Sequence, residues 1–237
     1  MARVIVGSYM FRYPLGGMLS WVIQYLTGLS RLGHDVYFAE KYGYDNACFD
    51  PQKLTFGDDC TYGIKMVSRL LKEVGLDGKW CFVEKGDHYH GLSRREINAV
   101  FEGADLFVDM GTHGSWEEES QRAALRVWID GEPGFTQIKL HDRTIQGIPI
   151  PVYDHYFTNG MNIGIPGNPA PLVGLEWKRL FHPVDTRIFS PAPLQQNSVY
   201  TTVMNWQSHA PINYQGRSYG QKDVEFEKFL TLPGLCA

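Results

Sequence analysis

Long apolar runs are missing from this chain. No window of about 18 apolar residues occurs, so no transmembrane helix is expected. The first residues already look like a strand, with no basic n-region, apolar h-region and small-residue cleavage site, so no signal peptide is expected either. A strong charge of one sign is missing too. The 22 Lys and Arg against 26 Asp and Glu leave a net charge of −4, which gives nucleic acid or an anionic membrane no electrostatic footing as the main partner. The four cysteines, Cys48, Cys60, Cys81 and Cys236, form no C-x-x-C pair and no metal-like spacing. Reduced thiols in the cytoplasm are the expectation. Complete glycine fingerprints are absent as well. Gly7, Gly16 and Gly17 fit neither G-x-G-x-x-G nor a Walker loop, which argues against a dinucleotide oxidoreductase. Glu40 stands where such a protein would put its ribose-binding acid.

What is present is a legible opening. Arg3-Val-Ile-Val-Gly-Ser8 reads as a β-branched strand. A loop with Pro14-Leu-Gly-Gly17 follows, then a helical pattern from Met18 to Leu32, a stop at Gly33, and a second strand from Val36. A strand–glycine loop–helix–strand unit favours a parallel α/β sheet. Ser20, Gln24, Thr27 and Arg31 make one narrow polar stripe, while Leu19, Val22, Ile23, Leu26, Leu29 and Leu32 cover most of the remaining circumference. Such a helix is mostly buried. Its N-terminus, at Gly16 and Gly17, offers unpaired backbone N–H groups and a positive dipole end that suit a phosphate. The same glycines also fit a tight turn without ligand.

Further along, Lys41 to Gly57 is irregular, and a helix starts near Asp58 or Asp59 and ends at Val74 before Gly75. Trp80 to Val83 is a strand. Glu84 to Gly91 is polar and carries His88 and His90, with no third ligand for a metal. Ser93 to Glu96 is a capping box opening a short helix, and Asp105 to Asp109 is a buried strand. Ser115 and Glu118 form a second capping box, which makes Gly111 to Ser115 a strand-end loop of the kind that binds ligands in open α/β sheets. Arg126 to Asp130 and Tyr156 to Thr158 complete a count of five or six strands, the latter being the last of the unit. Asn162 to Pro193 carries closely spaced proline and glycine without periodicity and reads as a connection. Ser198 to Met204 is a fresh β-branched run, Asn205 to Gly220 a polar loop, and Lys222 to Leu230 a helix.

A length of 237 residues allows one to two domains at about 150 residues each. The expected fold class is α/β, a Rossmann-like doubly wound parallel sheet. The expected division is a first domain over 1–193, with its crossing linker from about 162, and the start of a second over 194–237. A strand, a loop and a helix are too little for a core, so the second domain is expected to be truncated.

Several segments stand out together: Pro14-Leu-Gly-Gly-Met18, Leu29-Ser-Arg-Leu-Gly-His-Asp-Val36, Trp128-Ile-Asp-Gly-Glu-Pro-Gly-Phe135, Tyr156-Phe-Thr-Asn-Gly160 with Asn162-Ile-Gly164, and Thr201-Thr-Val-Met-Asn-Trp206 through Gly216 to Asp223. With them the chain resembles GT-B glycosyltransferases, in which two Rossmann-like domains face each other across a cleft. Taken in order, the segments are similar to a bacterial group of such proteins. The resemblance implies a hexosyltransferase-like enzyme that moves a sugar from a nucleotide-sugar donor to an acceptor the sequence does not identify. With the donor-side domain cut short, the fragment is expected to be weakly active or inactive. The alternative is a non-catalytic Rossmann-like nucleotide-binding module or subunit. No cofactor and no divalent metal is implied, and no Asp-x-Asp motif occurs.

The resemblance also places residues. Gly16 and Gly17 become cleft or phosphate candidates. Asn205, Trp206 and Ser208 become the opposing wall, and Arg217 becomes a charge for the diphosphate leaving group or else a solvated loop arginine. A base must take the proton of the acceptor hydroxyl in an inverting reaction. His113 is the first candidate, with Asp130 and Glu132 as the carboxylates; Asp130 also suits capping the helix that follows it. The place directly after the first strand, where many such enzymes carry a base, holds Ser8 and Tyr9.

Overall fold

Alternation decides the first strand. In β1 (Arg3–Gly7), Val4 and Val6 point to one side and Ile5 to the other, and all three are buried. A strand apolar on both faces belongs in the middle of a covered sheet, and β1 lies there. The computed structural model describes residues 1–112, 114–193, 201, 203–204, 206, 210–220 and 222–235. They form two units, Met1–Ser190 and Pro191–Ala237.

The first unit runs β1, α1 (Gly16–Arg31), β2 (Asp35–Lys41), β3 (Cys48–Asp50), β4 (Thr55–Gly57), α2 (Thr61–Glu73), β5 (Trp80–Glu84), β6 (His88–Gly91), α3 (Arg94–Glu102), β7 (Leu106–Asp109), α4 (Glu117–Ser120), β8 (Arg126–Asp130), α5 (Phe135–Ile145), β9 (His155–Thr158) and β10 (Trp177–Arg179). Eight strands make one sheet in the order β10-β9-β8-β7-β1-β2-β5-β6. Every pairing is parallel except β5 with β6. One face packs Val4, Val6 and Phe38 against Leu19, Val22, Ile23 and Leu26 of α1 and Val67 and Leu71 of α2. The other packs Ile5, Ala39 and Phe107 against Ile97, Val100 and Phe101 of α3 and against Trp116. Fully burying one such side chain contributes about 1.5–3 kcal/mol. The chain is thus α/β, with a large, mostly parallel central sheet flanked by helices, consistent with a Rossmann-like fold.

Several expectations need correction. Tyr156 to Thr158 is not the last strand. Trp177–Arg179 pairs with it in parallel, a strand too short to show periodicity inside a proline-rich connection. His88 and His90 lie in the antiparallel strand β6, where His90 Nε2 meets Glu84 Oε2 at 3.0 Å. The sheet therefore has eight strands. Lys41 to Gly57 holds the antiparallel pair β3–β4. The second capping box does not form: Trp116, not Ser115, precedes α4, without a side-chain cap, and Ser115 Oγ is buried without a partner. The first does form, with Ser93 and Glu96 bonded reciprocally. The expectation of reduced thiols fails for two of the four cysteines. Cys48 and Cys60 are joined as a disulfide with Cα atoms 5.3 Å apart, both buried. Cys81 is free and buried, and burial pushes its thiol up to about 12.

Gln24, Thr27 and Arg31 of the α1 stripe receive the chain that follows β10, while Ser20 bonds back to the Gly17 carbonyl. Thr27 Oγ1 donates to Asp185 Oδ2 at 2.6 Å, Gln24 Oε1 accepts from the Asp185 backbone N–H at 3.2 Å, and Arg31 pairs with Asp185. Three residues back along the same strap, His182 Nδ1 accepts from Trp21 Nε1 at 3.1 Å and meets the Tyr25 hydroxyl at 2.8 Å. The strap is therefore polar inward, while Phe181 and Val184 beside these anchors are exposed at 80% and 67%.

In the second unit, β11 (Ile212–Tyr214) and β12 (Arg217–Tyr219) form an antiparallel hairpin turning through Gln215 and Gly216, both with positive φ. This corrects the reading of Asn205 to Gly220 as plain loop; a positive-φ residue pair is the two-residue hairpin signature. α6 (Lys222–Phe226) passes into a 3-10 turn (Glu227–Phe229), and α7 is Leu232–Leu235. The β-branched run from Ser198 to Met204 lies largely outside the described residues. Among the described residues, no helix is long and apolar enough to cross a membrane.

Candidate functional site

The strand order reverses between β1 and β7, and open α/β sheets bind ligands outside the carboxyl ends of the strands at such a reversal. The loops leaving β1 and β7 are stitched together there. Ser8 Oγ donates to the Met110 carbonyl at 3.0 Å, and the Met110 N–H donates to the Gly7 carbonyl at 2.7 Å. Gly111 has φ of +103°, and a Cβ on it would come within 2.8 Å of the Tyr9 ring. The half-buried Tyr9 thus covers the junction. Burial raises its phenol pKa, and the charge of Glu132, after β8, raises it further.

Glu40 braces the first loop. Its fully buried carboxylate accepts backbone N–H bonds from Met10, Phe11 and Arg12 at 2.6, 2.7 and 3.0 Å and pairs with Arg12 Nε at 2.9 Å. Every oxygen is engaged within the protein. Glu40 therefore holds the loop, and the ribose-binding place suggested by its position is taken up by that role. The Arg12 guanidinium in turn lies 5.7 Å from the Tyr9 ring centroid and 6.0 Å from that of Tyr44. Gly63 lets α2 approach this loop, since a Cβ there would overlap the Phe11 carbonyl oxygen.

α1 begins at Gly16, with Leu15 before it and no side-chain cap. Neither Gly16 nor Gly17 has positive φ, and a Cβ on either would meet nothing within 4 Å. The turn does not require these glycines. Gly16 opens onto a groove of about 830 Å³ between α1 and α2. Its floor is Leu19, Ile23, Met66 and Leu70, and its rim carries Lys53, Lys65 and Arg69 beside Asp50, Asp59 and Glu73. Two of the cations are already paired, Lys53 with Asp50 and Arg69 with Glu73.

Asp130 is occupied by structure. Its Oδ1 accepts from the Glu132 N–H at 2.8 Å and the Thr136 hydroxyl at 2.5 Å; its Oδ2 accepts from Gln137 Nε2 and the Thr158 hydroxyl, both at 2.9 Å. At 1% exposure, it caps the turn into α5 and ties it to β9. Asp109, at the end of β7, is just as engaged, by the N–H groups of Gly111 and Thr112 and the hydroxyls of Thr112 and Tyr153. Burial, reinforced by Asp109, raises the Tyr153 phenol. Glu132 is half-exposed and pairs with Lys139 at 3.1 Å. It lines a pocket of about 180 Å³ that also includes Asp109, Trp128, Lys139, Arg143 and Tyr153. Gly16 and Glu132 line different cavities.

His113, Asn205 and Ser208 lie outside the described residues. Trp206 is half-exposed, with its ring edge-on to Phe226 at 5.8 Å. Arg217 opens β12 and is exposed. Sequence reasoning passed over Tyr153, which follows Pro149 and Pro151 in a stretch without periodicity; the aromatic itself was the only available signal. Among the described residues, no cluster of three His, Cys, Asp or Glu could hold a metal ion.

No protein-family model matches the chain, and no curated protein matches it either.

Proposed function

We propose that the first unit is the acceptor-side half of a GT-B glycosyltransferase, one that moves a sugar from a nucleotide-sugar donor to an acceptor. The observation that carries the reading is the convergence of the loops after β1, β7 and β8 at one edge of the sheet, where Tyr9 and Glu132 share an electrostatic neighbourhood. The chemistry needs a group to take the acceptor's proton as the anomeric carbon is attacked. With Asp130 and Asp109 saturated, Glu132 is the strand-end carboxylate with solvent access to do so. The uncapped α1 N-terminus at Gly16 and Gly17 offers dipolar stabilisation to an anion. In the same reading Trp206 and Arg217 belong to the donor side, and the reaction calls for no bound divalent metal.

Titrating the protein calorimetrically with UDP-, GDP- and ADP-hexoses, then assaying sugar transfer, tests the reading. Binding of one nucleotide-sugar in preference to its free nucleotide is expected. A folded protein that binds none of them overturns it. The saturation of Asp109 and Asp130 favours a second reading, a nucleotide-binding module without turnover. Free nucleotide binding as tightly as its nucleotide-sugar, unchanged by Glu132→Gln, would select that reading.

A further inference from the structure

The pocket between α5 and the ends of β7 and β8 has the chemistry of a sugar-ring site, and we propose that it binds one pyranose ring. That ring belongs to the acceptor if the transferase reading holds, and this assignment of the acceptor rests on that reading. The volume, about 180 Å³, equals about six waters at about 30 Å³ each, the room a single six-membered ring with its hydroxyls needs. A pyranose has one face of C–H groups and a rim of hydroxyls that each donate and accept. It therefore asks for an aromatic wall beside polar groups of both kinds.

The pocket offers both. Trp128 and Tyr153 supply the wall, with ring centroids 5.7 Å apart and planes tilted by 40°. Lys139 and Glu132, paired at 3.1 Å, set a donor beside an acceptor on the rim. Arg143 is anchored by two bonds to the Pro149 carbonyl, from Nε at 3.2 Å and Nη2 at 2.7 Å, which fixes the direction of its planar fork.

The wall is preorganised. Tyr153 is held by its 2.5 Å hydrogen bond to the buried Asp109. Trp128 lies in register with Tyr156 on β9, which lies in register with Trp177 on β10, and the three rings pack at 5.7–6.1 Å. Sites set on such rigid elements bind without first ordering their side chains. Other ligand classes fit less well. A nucleobase seeks parallel faces, and these rings are tilted. A phosphate seeks net positive charge, and Asp109 and Glu132 balance Lys139 and Arg143.

The test needs no nucleotide. Free monosaccharides (glucose, galactose, mannose, and xylose as the ring without its hydroxymethyl arm) are titrated into the intact chain. Saturation-transfer NMR and tryptophan fluorescence provide the readout. One sugar is expected to bind with Kd of about 1 mM, and Lys139→Ala and Arg143→Ala, both exposed on the rim of the pocket, are each expected to weaken it about tenfold. Trp128→Leu should abolish the fluorescence change, with circular dichroism confirming the fold. The absence of binding by every sugar overturns the inference, and so does binding unchanged in both α5 variants, or displacement of the bound sugar by free nucleotide alone. Sugar binding that persists while no nucleotide-sugar binds would sink the transferase reading and leave the pocket assignment standing. Nucleotide-sugar binding without free-sugar binding would do the reverse.

Discussion

Trp21 Nε1 donates a hydrogen bond to His182 Nδ1 at 3.1 Å, across 161 residues of chain. An indole N–H can only donate, so Nδ1 is the acceptor and the neutral imidazole carries its proton on Nε2. That nitrogen faces the Asn159 side-chain amide at 2.9 Å. The amide must then present its oxygen, which otherwise is buried with no partner. A second proton on Nδ1 would displace the Trp21 bond, whose indole N–H can only donate, and would reverse the Tyr25 one, whose hydroxyl then accepts.

Acid should therefore loosen the strap from α1. Burial lowers the His182 pKa, so the folded state binds this proton less readily than the unfolded chain. The stabilisation is complete above the unfolded value of about 6.5 and is lost as pH falls from there toward the lower folded value. Urea unfolding at about pH 7.5 and about pH 5.5, on either side of that unfolded value, should show a larger loss for the native protein than for His182→Gln. Equal losses would mean that His182 does not hold the strap.

Glu40 and Arg12 test the loop after β1. Glu40→Gln leaves a buried guanidinium without its counter-charge, and its cost is expected at about 3–5 kcal/mol. The measurement is the chemical denaturation midpoint. A change under about 0.5 kcal/mol, the range of ordinary surface substitutions, would show that the three N–H bonds do not need the charge.

Asp130→Asn separates capping from catalysis. Four donors converge on this carboxylate, so the substitution turns acceptors into donors facing donors, and a loss of about 1–3 kcal/mol per unsatisfied group is expected. If Asp130 were instead the base, activity would vanish while the unfolding midpoint stayed put.

Gly17→Ala probes the start of α1. With open space at the Cβ position and no positive φ, the fold should be unchanged or stabilised by up to about 1 kcal/mol. Binding of a phosphate-bearing ligand at that terminus, followed by calorimetry, should weaken. Equal loss of binding and stability would return Gly17 to a turn-only role.

The Cys48–Cys60 bond closes a short loop around β3 and β4, with a separation of 12 residues. Replacing both cysteines by serine is expected to cost about 2–4 kcal/mol, read as a lower thermal midpoint. The native protein treated with reductant should fall by a similar amount.

How far the sequence led depended on how local each determinant was. The central strand, α1, the capping box at Ser93 and Glu96, and the strand ends at Asp109 and Asp130 were legible because β-branched runs, the 3.6-residue period and cap chemistry are all written within a few neighbouring residues. β10 was missed because three residues carry no period. The second capping box failed because the chain turns at Trp116, whose fully buried ring sets the start of α4 more firmly than a serine can. The stripe Ser20–Gln24–Thr27–Arg31 is plainly polar in the sequence, yet the partner of its last three residues, Asp185, lies about 160 residues on, and no local pattern records it. The pairing of Cys48 with Cys60 depends on the same kind of distant closure. In the candidate site, Asp130 and Glu132 were marked by position, while the four bonds to the one and the exposed pairing of the other with Lys139 were known only once the elements were packed.

The place of β1 in the sheet has a consequence for synthesis. β1 is made before both its neighbours; β2 follows within about 30 residues, but β7 begins only at Leu106. As the chain emerges at about 5–20 residues per second, the half-sheet β1–β2–β5–β6 can assemble while one edge of its most apolar strand still has unpaired N–H and C=O groups. An open edge of this kind invites pairing with other nascent chains. Until Leu106 to Asp109 leave the ribosome, the middle of the finished sheet is the growing chain's most vulnerable border.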